Sequence, residues 1–290
     1  MCRLCDPATP NTPCPVSDVS ASESLARAAA RVAEAGASIV DGTGEPGQRI
    51  LIKGGTVLSM DDAVGSFATG DVLIEGTRIV EVAPVIDAPG ATVIDAAGKV
   101  VMPGFVDTHH HQFETALRSQ LAHGILINDE RPENQSNYYD DILQKFSMVY
   151  RPEDVYINEL FGGIAQLDAG VTTVMDVSQI HHSPEHSDAA IEGLRDAGRR
   201  AVFGYFEGWG EQAQYPHDAR RINEQWFSSG DQLLSMVMGG EIYLPGYEEA
   251  WKVGRELGLP IALHVVGTFG MRETFDALAA ADQFSDDNIF

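Results

Sequence analysis

Basic side chains are scarce in this sequence. Nineteen lysines and arginines face 43 aspartates and glutamates, a formal net charge of −24 over 290 residues. Such a surface repels phosphate backbones and anionic lipid, which disfavours nucleic-acid and membrane partners. Long apolar runs are missing too. None approaches the roughly 18 residues of a membrane span, and residues 1–30 carry no apolar secretory core. The expected location is therefore the cytoplasm. Cysteine is confined to Cys2, Cys5 and Cys14. Cys2-x-x-Cys5 has the spacing of a zinc or redox pair. No second pair or nearby histidine completes the four ligands of a structural zinc site, so a reduced tail is expected.

Composition shifts along the chain divide it into three parts. Residues 1–19, rich in Pro, Thr, Ser and Asp, read as a flexible tail. Ser20-Ala21-Ser22-Glu23 has capping-box spacing and predicts a short helix from Leu25 to Ala35, so residues 1–48 form a tail with a helix. Residues 49–101 are short β-branched strands punctuated by glycine. Asp71–Glu75, Gly76-Thr77 and Arg78–Val82 carry a hairpin signal there. From Met102 to Phe290 strands alternate with helices, the pattern of an α/β fold. Strands are expected over 102–108, 170–176, 200–206, 233–238 and 259–264, with a sixth opening at 288–290. An amphipathic helix is expected from Pro152.

The first of these strands carries the densest chemical signal. Pro103-Gly104-Phe105-Val106-Asp107-Thr108-His109-His110-His111 reads as a strand ending in His-x-His. Residues i and i+2 of a strand share a side and lie roughly 6.5–7 Å apart at Cα. His109 and His111 can therefore close on one ion with bonds of about 2.0–2.1 Å. His110, between them, points the other way. A helix would splay the pair by about 200°.

Preceded by Val100-Val101-Met102-Pro103-Gly104-Phe105-Val106-Asp107, the histidine pair resembles the first barrel strand of the amidohydrolase superfamily. Gln112–Arg118, Gly170–Asp176 and Ser183–Ala190 extend the resemblance toward its deaminase and triazine-hydrolase branch. The resemblance implies a TIM-type (β/α)8 barrel behind a small β-sandwich, and metal-activated hydrolysis of a C–N bond in a small cyclic substrate. It implies a third ligand at His264, which ends strand five. The implied cofactor is a divalent metal; zinc suits a histidine shell best, with iron and manganese as alternatives. No lysine ends strand four, which argues against a lysine-bridged binuclear centre.

Two features depart from the family pattern. Gly267 stands where the deaminases of this branch carry a proton-shuttling glutamate. Glu207 after strand three, Glu241 after strand four and Asp176 at the end of strand two are the acids whose positions suit the missing catalytic role. Gly267 also keeps open a non-hydrolytic relative, a decarboxylase or dehydratase. The second departure is length. Residues 102–290 fall short of the about 250 that an eight-unit barrel needs. The barrel is thus expected to be truncated before strand six is complete, or closed by a second chain or another copy of this one; alone, it would be an inactive fragment or subunit. His181, His182 and His186 lie in the loop after strand two. Tyr205, Phe206 and Trp209 are candidates to line a pocket for a flat ring.

Overall fold

A computed structural model describes residues 47–121, 124–127, 130, 136–265, 270–286 and 288–289. The cysteine-bearing tail, the helix expected at 25–35 and Gly267 lie outside the described residues. The chain divides into two compact units that part between Pro103 and Gly104.

The first unit contains β1 (Arg49–Leu58), β2 (Ser66–Glu75), β3 (Arg78–Ala83), β4 (Thr92–Asp95) and β5 (Val100–Val101). They form one mixed sheet in the order β3-β2-β1-β4, with β5 also on β1. Where a small sandwich was expected, a single sheet is seen among the described residues. Gly76, at φ +55°, makes the two-residue turn between β2 and β3 that its sequence foretold. One patch of the sheet is covered by Ile86 and Ala88 packing on Leu51 and Leu73. Buried Asp71 ties that covering loop down, accepting from Gly54 N at 2.8 Å and Ile86 N at 2.9 Å.

The second unit is built on β6 (Phe105–His110), β7 (Val171–Ser178), β8 (Arg200–Tyr205), β9 (Leu234–Met238), β10 (Ile261–Ala262) and β11 (Asn288–Ile289). Neighbours in sequence are neighbours in space, and every pairing is parallel. Parallel pairing requires crossovers. These contain α1 (Pro152–Asp168), α2 (Pro184–Asp196), α3 (Ala219–Trp226), α4 (Tyr247–Glu256) and α5 (Met271–Ala280). Pro152 and Pro184 start α1 and α2, where a missing N–H costs nothing. The β6-to-α1 connection also holds a short 3-10 helix, Gln112–Leu117, and a π-wound helix, Tyr138–Phe146. Strand β10 starts only after Pro260, which has no N–H for the ladder. Its carbonyl still accepts from Met238 N at 2.9 Å.

Alternation along each strand separates two apolar layers. Ala201, Phe203 and Tyr205 of β8 join Val174, Met236, Met238 and Trp251 in the layer between sheet and helices. The opposite parity, Val177, Phe206, Val237 and Ala262 with Met175 and Val202, forms a second cluster on the inner face. Phe206 fits there because residue 239 is glycine; a Cβ at Gly239 would lie 2.4 Å from the Phe206 ring. This inner cluster supports the ends of the strands, where the histidines stand.

Candidate metal centre

His109 and His111 meet His264 beyond the C-terminal ends of β6 and β10. The three Nε2 atoms lie 3.3 Å (His109–His111), 3.1 Å (His109–His264) and 3.3 Å (His111–His264) apart. Nitrogens bound tetrahedrally at about 2.0–2.1 Å stand about 3.3–3.4 Å apart, so the spacing fits one ion. Among the described residues, His109, His111 and His264 form the cluster that can hold a metal.

The second nitrogen of two rings is already engaged. His111 Nδ1 donates to the Val177 carbonyl at 2.8 Å, and His264 Nδ1 bonds the Glu241 carboxylate. A proton at Nδ1 leaves the Nε2 lone pair facing the centre, which is the tautomer that ligation requires. Burial, and then the neighbouring His264 and His109, push His111 down to about 3. Burial and His264 lower His109 as well. Both rings are therefore neutral near pH 7, as a metal ligand must be. Phe206 closes the floor, its ring centred 5.5 Å from that of His264.

The three candidate acids occupy three different places. Glu241 touches the cluster through His264 Nδ1, on the side away from the converging nitrogens. Glu207 sits one step behind it: its Oε1 accepts from Glu241 N at 2.7 Å, and the Tyr215 phenol bonds its carboxyl. Burial, and then the adjacent Glu241, push the Glu207 carboxyl above the usual range. Asp176 is not brought to the histidines. It pairs in register with His110, and partners in a parallel pair point to one side of the sheet. That side is the helix layer, where Asp176 is fully buried and accepts from Gln112 N at 3.0 Å. Arg199 and Glu159 share this buried patch, and Arg199 bonds the side chains of Gln112 and Gln166.

His110 turns from the cluster toward Asp107, Nδ1 to Oδ2 at 3.3 Å. His181 packs in the helix layer against Tyr205 and Phe203, with Nδ1 3.0 Å from Ser187 Oγ. His182 Nδ1 accepts from Trp209 N at 3.1 Å, and His186 bonds Ser183 Oγ and the Tyr150 carbonyl. None of these joins the metal cluster. Of the three aromatic candidates, Phe206 lies beside the centre. Tyr205 belongs to the sheet–helix core, and Trp209 packs against His182. Sequence reasoning missed Glu114 and Tyr138, which line a cavity together with His109 and His111. Glu114 follows His111 by three residues within one tight helical turn, and that spacing was the available signal.

The profile of the amidohydrolase family matches residues 100–282, more than half of the chain. The chain belongs to the amidohydrolase family. Among curated proteins, this amidohydrolase is 55% identical over 194 residues to a 5'-deoxyadenosine deaminase of Methanococcoides burtonii, covering 66% of this chain and 41% of that protein. It is 32% identical over 158 residues to a 5-methylthioadenosine/S-adenosylhomocysteine deaminase of Symbiobacterium thermophilum, covering 53% and 33%. The chain thus spans less than half the length of these relatives. A triazine hydrolase of Arthrobacter aurescens superposes with a TM-score of 0.68 at 21% identity, covering 83% of this chain and 59% of that one. An adenosine deaminase of Xanthomonas campestris with bound zinc does so at 0.60 and 21%, covering 84% and 57%. These likenesses show a shared fold, here part of an amidohydrolase barrel.

Proposed function

We propose that His109, His111 and His264 bind one divalent ion, zinc, and that the chain contributes this centre to hydrolysis of a C–N bond in an aminated nitrogen heterocycle. The observation that carries this reading is the convergence of three Nε2 atoms at 3.1–3.3 Å. A divalent ion held there supplies Lewis acidity and lowers the pKa of water toward 7. The chain's own groups fix the geometry. The Val177 carbonyl holds His111, and the Glu241 carboxylate holds His264. Glu207 holds the Glu241 main chain in turn. Glu241 and Glu207 are therefore positioning residues in this proposal. Asp176 fixes the turn that follows His111 by accepting from Gln112 N. The activities for which the relatives are named, deamination of adenosine derivatives and triazine hydrolysis, support a flat, nitrogen-rich substrate.

The test is zinc stoichiometry followed by ammonia release from 5'-deoxyadenosine and from an aminotriazine. One zinc per chain, lost in His111→Ala and His264→Ala, is the expected result. Absence of zinc at one per chain refutes the metal assignment. Zinc bound at full stoichiometry without ammonia from either substrate refutes the assigned reaction.

A further inference from the structure

We propose that Arg199 is a positioning residue that sets both ligands of the His109–His111 pair from behind, through a fork of two glutamine amides. The inference rests on the metal centre proposed above and names a residue, remote in sequence, that holds two of its ligands. Arg199 is buried in the turn between α2 and β8. Its Nη1 bonds the side-chain oxygen of Gln166, and its Nη2 that of Gln112. Beyond Gln166 the path runs from Nε2 to Asp107 Oδ2 at 2.9 Å. Asp107 Oδ1 in turn accepts from the backbone N of His109 at 3.3 Å. Gln112 directly follows His111. Its backbone N donates to Asp176 Oδ1 at 3.0 Å, and its Nε2 to the Glu159 carbonyl at 2.5 Å. One guanidinium thus anchors two chains of hydrogen bonds, one reaching the main chain at His109 and the other the main chain just after His111.

The polarity of both arms is fixed. A guanidinium only donates, and a carboxylate or carbonyl only accepts. Each amide must therefore turn its oxygen to Arg199 and its nitrogen away. Taking a guanidinium out of water is costly unless it is paired and hydrogen-bonded. Glu159 and Asp176, both fully buried, supply the opposing charge together with Asp107. Packing alone does not ask for an arginine here, since Leu194, Ala197 and Ala201 nearby in the same layer are apolar. Two glycines of α1 make room for the fork. A Cβ at Gly162 would lie 2.8 Å from Gln112 Cγ, and one at Gly163 2.5 Å from Ala197 Cβ. Arginine suits the task because its planar head presents donors at a set angle to two acceptors at once. The ammonium of lysine carries the same charge without that fork.

The experiment measures zinc affinity of the full chain by chelator competition, and hydrogen exchange of the His109 and Gln112 amides in the metal-free chain. Arg199→Lys keeps the charge opposite Glu159 and Asp176 but loses the fork. It should weaken zinc about three- to tenfold, less than the about 10- to 100-fold of a partner bonded directly to a ligand ring. It should also speed exchange of both amides and shift the d–d absorption of the cobalt-loaded chain. Gln166→Met severs one arm, should speed the His109 amide alone, and carries the test if Arg199→Lys does not fold. Arg221→Met is the control, since that guanidinium bonds Asp188 and Asp218 instead. It should lower the urea midpoint and leave zinc affinity within about twofold, as for a distant, independent site. Amide exchange unchanged in both Arg199→Lys and Gln166→Met refutes the positioning role, whatever zinc does. A loss of zinc affinity equalled by Arg221→Met also overturns it, because the effect is then general destabilisation. Zinc stoichiometry of the wild type keeps the two proposals apart. A wild type without zinc whose two amides are loosened by Arg199→Lys refutes the metal centre and supports Arg199 as the holder of the histidine segment.

Discussion

Replacing Glu241 with alanine removes the acceptor for His264 Nδ1 and leaves the main chain intact. The Glu241 N–H that bonds Glu207 Oε1 at 2.7 Å is a backbone group and survives the change. The effect therefore isolates one carboxylate behind one ligand. Two consequences follow from the geometry. The His264 ring loses the partner that fixes its rotation and its tautomer, so the Nε2 lone pair is no longer held toward His109 and His111. A carboxylate beside the centre, which would offset part of a bound cation's charge, is also lost. Loss of such a partner costs about 10- to 100-fold in metal affinity, or about 1.4–2.7 kcal/mol. Competition against a chromophoric zinc chelator near neutral pH measures it directly. Glu241→Gln keeps an acceptor oxygen and should fall between alanine and wild type. Zinc affinity unchanged in Glu241→Ala, with the fold intact, would refute the idea that Glu241 orients His264.

Two further changes test the frame around the centre. A Cβ at Gly208 would lie 1.8 Å from the His181 carbonyl oxygen, a backbone atom that cannot rotate away. Gly208→Ala should therefore destabilise the chain by at least about 2 kcal/mol, read as a lowered urea midpoint; an unchanged midpoint contradicts the packing. His181, buried and lowered to about 3, lags well below its unfolded value of about 6.5. As pH falls between these values the unfolded chain takes up the proton first, so wild type should lose stability relative to His181→Gln by about 1.4 kcal/mol per unit. Parallel stability curves for the two proteins would contradict that environment.

Much of the centre could be read from the chain because strands have a period of two. His109 and His111 turn to one centre as that period predicts, whereas His110 reaches Asp107, three residues back, because the β6–β7 register shifts between them. The alternation of strands and helices after Met102 likewise gave the parallel sheet in its correct order, since each crossover joins neighbours. Strand ends were less legible. Strand β10 starts only after Pro260, whose missing donor matters only once the partner strand is known.

The acids show where local pattern stops being informative. Asp176, Glu207 and Glu241 all follow or end a barrel strand, and no spacing rule separates them. Register does: pairing with His110 turns Asp176 into the helix layer, whereas the loop after β9 lays Glu241 against His264. His264 meets its partners across 155 residues of sequence separation, a distance over which periodicity carries no phase. The burial of Glu114 and Tyr138, which share one cavity wall with His109 and His111, is a property of the folded surroundings rather than of either residue. Local sequence thus fixed which side chains can share a face of one element. Packing of separate elements then chose which of those faces meet, because the distances and desolvation that make a ligand or a positioning residue exist only between elements.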